Sequence, residues 1–426
     1  MGKAQISFLL VLVILLCLSG CNNTAASDSY TQTISAYPEA TEEIQPLPTE
    51  TMEQVAVDPT KLWTTLCEEY IYLRAEPSEK NFLCQIPAGD TFVLEKWHGK
   101  YALITYQEMQ GYVSSNYIMP VCFETGLNVV STTCEYTYNQ LLQDISALHK
   151  RYPDLIRTEI IGVSEAGREI PVIKIGNPNG KHHVLMQGAI HGREHFTAWL
   201  LMAVAEYSLV RNYLADSEVC YHIIPMTNPD GVTISQAGVL DEAQTAIYQN
   251  DLSAGYTGSA LQEYARQWKA NALGIDLNRN FPSGWENSLE HEAPSSEKYR
   301  GAKPFAAAES RALRDYTLKY DFSATISFHS HGSVIYYQYG DKQPVNSLSY
   351  SLAQAVREVT GYIPTAHDGT TGAGYKDWAM DTLGIPSLTV EIGNYRTPLE
   401  QRDIYNTFYR CRELFPAIHR WLTENK

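Results

Sequence analysis

The stretch "HHVLMQGAIHGREHFTAW", residues 182–199, packs three kinds of signal into one short run. From His182 to Ile190 it reads as a strand. Gly192 breaks the run, and helical spacing (Trp199, Leu200, Met202, Ala203) begins only after His195. His191, Glu194 and His195 lie across the break and admit two metal-binding arrangements. If the two histidines are the ligands and Glu194 is a base, both rings must stand one turn apart on an established helix. If His191 and Glu194 are the ligands, a loop suffices, because a loop can turn both side chains towards one ion. A strand end followed by glycine favours the loop. Such a pair also arises by chance, so the rest of the chain has to decide.

Working outward, strand-like runs alternate with helical ones. "TYNQLLQDISALHKRYPDL" (137–155) places Leu141, Leu142, Ile145 and Leu148 on one helix face, and Pro153 stops it. "PVIKIG" (171–176), "VCYHIIPM" (219–226), "FSATISFH" (322–329) and "PSLTVEIG" (386–393) are short apolar runs bounded by turn residues, and a helix is expected over about Thr197–Tyr213. This alternation predicts an α/β sheet with helices on both faces, its chemistry at the strand ends.

The first sixty residues stand apart. Residues 1–21 carry Lys3 and then an apolar run from Ile6 to Leu18, too short to span a bilayer. The run ends in "LSGC", which resembles a lipoprotein signal with Cys21 as the acylated residue. Residues 22–60 are rich in Thr, Ser, Ala, Glu and Pro, lack Lys and Arg, and are expected to be a disordered tether. Without both segments the formal charge falls from −16 to −10, with 31 basic against 41 acidic residues. That balance argues against nucleic acid as a partner. Six cysteines remain beyond Cys21, with no C-x-x-C spacing, so no zinc knuckle is expected.

Residues 61–121 form a separate β-rich segment. "YIYLRAEPSE", "IPAGDTFVLEKWHGKYALITY" and "GYVSSNYI" alternate as half-buried strands do, with turns at Pro87–Gly89 and Gly111. Their order resembles a bacterial SH3 domain, a module that binds wall peptides in some proteins and serves as a spacer in others.

The chemistry collects in the larger segment, residues 135–426. A catalytic zinc takes three protein ligands and keeps one position for water. His329 ends the strand "SATISFH" and is the better third ligand, while His331 falls in the following turn. His182, His183 and His222 lie in or beside strand runs, where a structural role is expected. Glu391 interrupts an apolar run; a carboxylate there needs a reason, either an ion pair or the role of general base. Asn278 and Arg279, in "GIDLNRNFP", suit a substrate carboxylate, which a guanidinium grips with two parallel bonds.

Taken in order, "GREIPVIKIG", "HGREH", "IIPMTNPDGV", "GIDLNRNFP", "ISFHSHG", "GYKDW" and "LTVEIGN" resemble the zinc carboxypeptidase family. The resemblance implies a mixed twisted sheet flanked by helices and one zinc ion held by His191, Glu194 and His329. It also implies Glu391 as base and acid, and Asn278 with Arg279 as carboxylate grip. Where many members carry an arginine that polarises the scissile carbonyl, "RQWKANALG" offers Lys269, with Arg266 nearby. The tyrosine that caps the substrate in digestive members has no match, since its place falls in "HDGTTGAG" (367–374).

"WKANALGIDLNRNFP" and "GAGYKDW" look like the bacterial peptidases that cut γ-D-glutamyl–meso-diaminopimelate bonds, and Lys376 falls where the side-chain pocket is lined. The resemblance therefore implies peptidoglycan stem peptides or muropeptides as partners; the Cys21 signal adds the expectation of an enzyme lipid-anchored outside the cytoplasmic membrane, and a monomer is expected. The alternatives are a general metallocarboxypeptidase and a non-catalytic wall-binding lipoprotein.

Overall fold

The computed structural model describes residues 61–214, 218–366 and 372–424. The signal segment, Cys21 and the tether lie outside the described residues. So does 367–371, most of the place where a capping tyrosine was sought.

Residues 62–120 form an all-β unit of seven strands: β1 (Leu62–Thr65), β2 (Tyr70–Arg74), β3 (Phe82–Pro87), β4 (Thr91–His98), β5 (Tyr101–Tyr106), β6 (Met109–Ser114) and β7 (Ile118–Pro120). Their order in the sheet is β3-β2-β6-β5-β4-β1-β7. Alternate residues point inward, so Ile71, Leu73, Ala102, Ile104 and Val113 close on Trp63 in a core of their own.

The larger α/β part carries eight strands: β8 (Ile156–Val163), β9 (Glu169–Gly176), β10 (His182–Gln187), β11 (Val219–Ile224), β12 (Phe322–Ser330), β13 (Val334–Tyr336), β14 (Ile363–Thr365) and β15 (Ser387–Ile392). Its helices are α1 (Tyr138–Arg151), α2 (Phe196–Val210), α3 (Pro229–Ala237), α4 (Glu242–Ala254), α5 (Leu261–Arg266), α6 (Ala308–Thr317), α7 (Val345–Thr360), α8 (Tyr375–Leu383), α9 (Asp403–Cys411) and α10 (Leu414–Glu424). The sheet order is β14-β13-β15-β12-β10-β11-β9-β8. Strands β11, β10, β12 and β15 run parallel, while β8, β9 and β13 make the antiparallel pairings of a mixed sheet.

Period-2 alternation sends successive residues of the central strands to opposite cores. Val184 and Met186 join α2, α7, α9 and α10 on one face; Leu185 joins α6 and α8 on the other. Helix α2 is buried from Phe196 to Leu209, which explains a sequence apolar on all sides. Its one acidic residue, Glu206, accepts backbone N–H bonds from Asn128, Val129 and Val130 and so ties down the segment leading into the domain. Among the described residues no helix is long and apolar enough to cross a membrane.

The chain leaves β10 through α2 to β11 on one side and later returns to β12 on the other. The order of strands therefore reverses at β10, and the crevice beyond its carboxyl end is the expected place for a ligand.

The all-β unit and the α/β part belong to one compact unit, and their seam is polar and buried. Arg410, 1% exposed, donates to the carbonyls of Thr360 and Gly99 at 2.7 Å each, and its guanidinium faces Tyr362 and Trp97. Asn394 donates to Ser115 Oγ and Asn116 Oδ1, both at 2.6 Å, and Asn406 to the Ser115 carbonyl at 2.7 Å. Gly361 packs so closely that a Cβ there would lie 2.3 Å from Trp97 Cβ. Wet, easily separated contacts are the norm between modules joined by a linker; this seam instead satisfies its polar groups internally.

Candidate active site

Strand β10 stops at Gln187, earlier than the Ile190 expected from sequence. Gly188 N–H still reaches the Ile224 carbonyl, but Ala189 N–H is taken by Thr197 Oγ1 (2.7 Å) in the first turn of α2. The chain is thereby drawn out of the sheet, and His191 stands at the head of a 3-10 turn, Gly192–Glu194. Helix α2 follows with His195 as its N-cap residue, so the helix begins where the spacing indicated. The glycine after His191 is a packing requirement: a Cβ on Gly192 would lie 2.4 Å from the Gly231 carbonyl.

His191, Glu194 and His329 converge, with donor atoms all within 4.8 Å of one another. His191 Nδ1 lies 2.8 Å from one Glu194 oxygen, and His329 Nδ1 lies 2.9 Å from the other. All three are buried. Asp276 Oδ1 stands 3.2 Å from His191 Nε2, so when Nε2 donates to Asp276 the other ring nitrogen, Nδ1, is the one available to a metal ion in the cluster. Burial opposes the charge of Glu194, yet the two imidazoles outweigh it and hold the carboxylate well below its usual range. The same holds for Asp276, where burial is outweighed by His191, Arg279 and Lys269. Two imidazole nitrogens and a shared, buried, ionised carboxylate are a fitting donor set for zinc.

His195 takes no part. Its ring lines a separate cavity of ≈ 890 Å³ with Arg266 and Gln267, and its buried Nδ1 has no partner among the described residues. His331 is exposed and turned to Thr397 Oγ1 at 3.1 Å. Both fall outside the cluster.

Glu391 is the neighbour of His329 across the parallel β12–β15 ladder. It is the one residue of β15 not fully buried, because it lines a cavity of ≈ 250 Å³. Burial and the nearby Glu194 charge raise its carboxyl to about 7, against the opposing pull of His329 and Lys269. A carboxyl poised there can both take and return a proton near neutral pH.

The same cavity is lined by Asn278, Arg279, Glu290, Lys376 and Asp377. Asn278 Oδ1 accepts the Tyr375 N–H, leaving the amide nitrogen as its donor end. Arg279 is paired with Glu290 at 3.3 Å. Lys376 Nζ is held by Asp377 Oδ1 at 2.6 Å and by the Gln338 carbonyl at 2.9 Å. Lys269 comes to the site through its backbone: its carbonyl accepts Gly192 N–H at 2.9 Å, and its charge acts on His191, Asp276 and Glu391. Arg266, the other candidate, lines the His195 cavity instead.

Asp276 was missed by the sequence reading. It sits between apolar Ile275 and Leu277, the same setting that singled out Glu391, and that criterion would have found it.

Three side chains that could hold a metal ion, a buried carboxyl beside them and a cavity lined by Asn278, Arg279 and Lys376 meet at the switch point of an α/β sheet, an arrangement suited to metal-dependent hydrolysis. Comparison with known proteins carries this further. The zinc carboxypeptidase (M14 peptidase) model matches residues 141–413, and the chain belongs to that family. It is a zinc metallopeptidase. Among curated relatives, "Gamma-D-glutamyl-L-diamino acid endopeptidase 1" of Lysinibacillus sphaericus is 30% identical over 291 residues, covering 65% of this chain and 69% of the relative. Carboxypeptidase B of Astacus astacus is 26% identical over 302 residues, covering 65% and 92%. The solved structure of thrombin activatable fibrinolysis inhibitor superposes with a TM-score of 0.55 at 22% identity, covering 68% of this chain and 75% of that one; it shows the shared fold.

Proposed function

We propose that this enzyme hydrolyses the γ-D-glutamyl–meso-diaminopimelate bond of peptidoglycan stem peptides, using one zinc ion held by His191, Glu194 and His329. Zinc in such a site acts as a Lewis acid and lowers the pKa of the water it binds to about 7. Glu391 takes a proton from the attacking water and delivers it to the departing amine. Lys269, whose charge acts on His191 and Glu391, is the residue assigned to stabilise the negative charge that develops on the scissile carbonyl. Asn278 and Arg279 grip the carboxylate on the leaving residue.

The observation that carries the choice of substrate is the pairing inside the Glu391 cavity. Arg279 and Asn278 offer one carboxylate site, and the adjoining Lys376–Asp377 pair offers a cation and an anion together. Diaminopimelate presents matching chemistry: a carboxylate next to the cleaved bond, and a distal carbon bearing both carboxylate and ammonium. The Lysinibacillus relative, named for this bond type, supports the same reading. A lipid-modified Cys21, a tether and an SH3-like module would hold the enzyme at the outer face of the membrane, within reach of the wall.

The test is turnover of L-Ala-γ-D-Glu-meso-diaminopimelate against a panel of α-linked peptides. Cleavage of the γ-linked peptide is expected. Turnover of α-linked peptides alone would replace this proposal with a general carboxypeptidase.

A further inference from the structure

A second group of metal donors lies at the opposite end of the central strands from Glu391. In the parallel β10–β11 ladder His183 faces Cys220, and Leu185 faces His222. Residues two apart on a strand share a face, so Cys220 and His222 both project on the side that carries His183. Their donor atoms lie within 4.8 Å of one another, the same closeness as in the catalytic triad. His183 Nδ1 and His222 Nε2 are 2.8 Å apart. His222 and Cys220 are buried and His183 is half-buried.

The surroundings resemble those of a built site. The far nitrogen of His222, Nδ1, has the Tyr316 hydroxyl at 2.7 Å, the counterpart of Asp276 at His191. Tyr320 stacks on His183, and Phe322 packs edge-on against His222, so both rings are fixed in place. Lys174 and Lys319, the nearby cations, are both paired with Glu159, the first at 3.1 Å. Two imidazoles and a thiol are a soft-to-borderline donor set, suited to zinc rather than magnesium or calcium. Nothing in the hydrolysis uses these residues, and their strand positions alone suggested only structural roles.

We propose that His183, Cys220 and His222 bind a second zinc ion that ties β10 to β11. Cysteine binds zinc as the thiolate, so the thiol proton passes to solvent on binding.

The catalytic cluster contains no sulfur, which separates the two sites spectroscopically. The experiment uses the full chain, stripped with chelator and titrated with zinc, then with cobalt(II). Two equivalents of zinc are expected, with a thiolate-to-cobalt charge-transfer band in the near ultraviolet. Cys220→Ser should lose the band and one equivalent while keeping peptidase activity; His191→Ala should lose the other equivalent and keep the band. One equivalent and no thiolate band in the unaltered protein would overturn the proposal, and so would a band that survives Cys220→Ser. Either failure leaves the catalytic assignment intact, since that rests on His191, Glu194 and His329.

Discussion

Replacing Asp276 tests whether the metal cluster is held from behind. Its Oδ1 faces His191 Nε2 at 3.2 Å and accepts Asn278 N–H at 3.1 Å; its Oδ2 accepts Lys298 N–H at 3.0 Å. Asp276→Asn keeps the size and one carbonyl oxygen but removes the charge that makes His191 a stronger donor. Losing such a partner typically weakens metal binding about 10- to 100-fold, or about 1.4–2.7 kcal/mol. Asp276→Ala goes further, because it strands the Asn278 and Lys298 N–H groups at about 1–3 kcal/mol each. Zinc affinity measured by competition with a chromophoric chelator, beside urea unfolding of the metal-free protein, separates the two effects. Asp276→Asn should shift mainly the first curve, Asp276→Ala both. Zinc affinity within twofold of the unaltered protein in both variants would refute the orienting role.

Three further outcomes follow from the same geometry. Glu194→Ala should abolish stoichiometric zinc at the catalytic site, whereas His195→Ala should keep it, as read by metal analysis after dialysis; the reverse would restore the helical two-histidine arrangement. Arg410→Met should destabilise the protein by about 3–5 kcal/mol in urea, because two buried carbonyls lose a charged donor, and an effect under about 1 kcal/mol would show the seam to be loose. Burial lowers His195 to about 4, so its contribution is complete above its unfolded value near 6.5 and is lost as pH falls towards 4, about 3 kcal/mol in all. Glu309, raised to about 7 by burial, has the opposite sign: it costs stability as pH rises from about 4.5 to 7. Unfolding of His195→Gln and Glu309→Gln across pH 4–8 should remove these slopes in opposite directions; parallel curves for all three proteins would contradict both.

What the sequence discloses and what it hides have a common physical origin. His191, His329 and Glu391 stand out because each interrupts or ends an apolar run of sequence, where a polar group needs a reason. Glu194 was favoured over His195 as a ligand by the glycine after His191 and by a separate candidate base at Glu391, and the family resemblance implied the same set. Asp276 lies 85 residues from His191, and no local period encodes a contact of that range. The sequence offers Lys269 with Arg266 nearby, and only packing separates them: the Lys269 carbonyl accepts Gly192 N–H, while Arg266 lines the His195 cavity. The seam was hidden for the same reason: Arg410 sits in a helix whose sequence gives no sign of a carbonyl from the all-β unit beside it. The strand-like run ending at Ile190 was read three residues too long, because Thr197 reaches back to take the Ala189 N–H.

The most direct test of the central claim is mass spectrometry of defined muropeptides incubated with the zinc-loaded protein and with its Glu391→Gln variant. The unaltered enzyme should release fragments cut between γ-D-glutamate and diaminopimelate, and the variant should bind zinc normally yet cleave about 10²- to 10⁴-fold more slowly, the usual loss of a general base. Intact muropeptides with the zinc-loaded enzyme, or full turnover by Glu391→Gln, would contradict it.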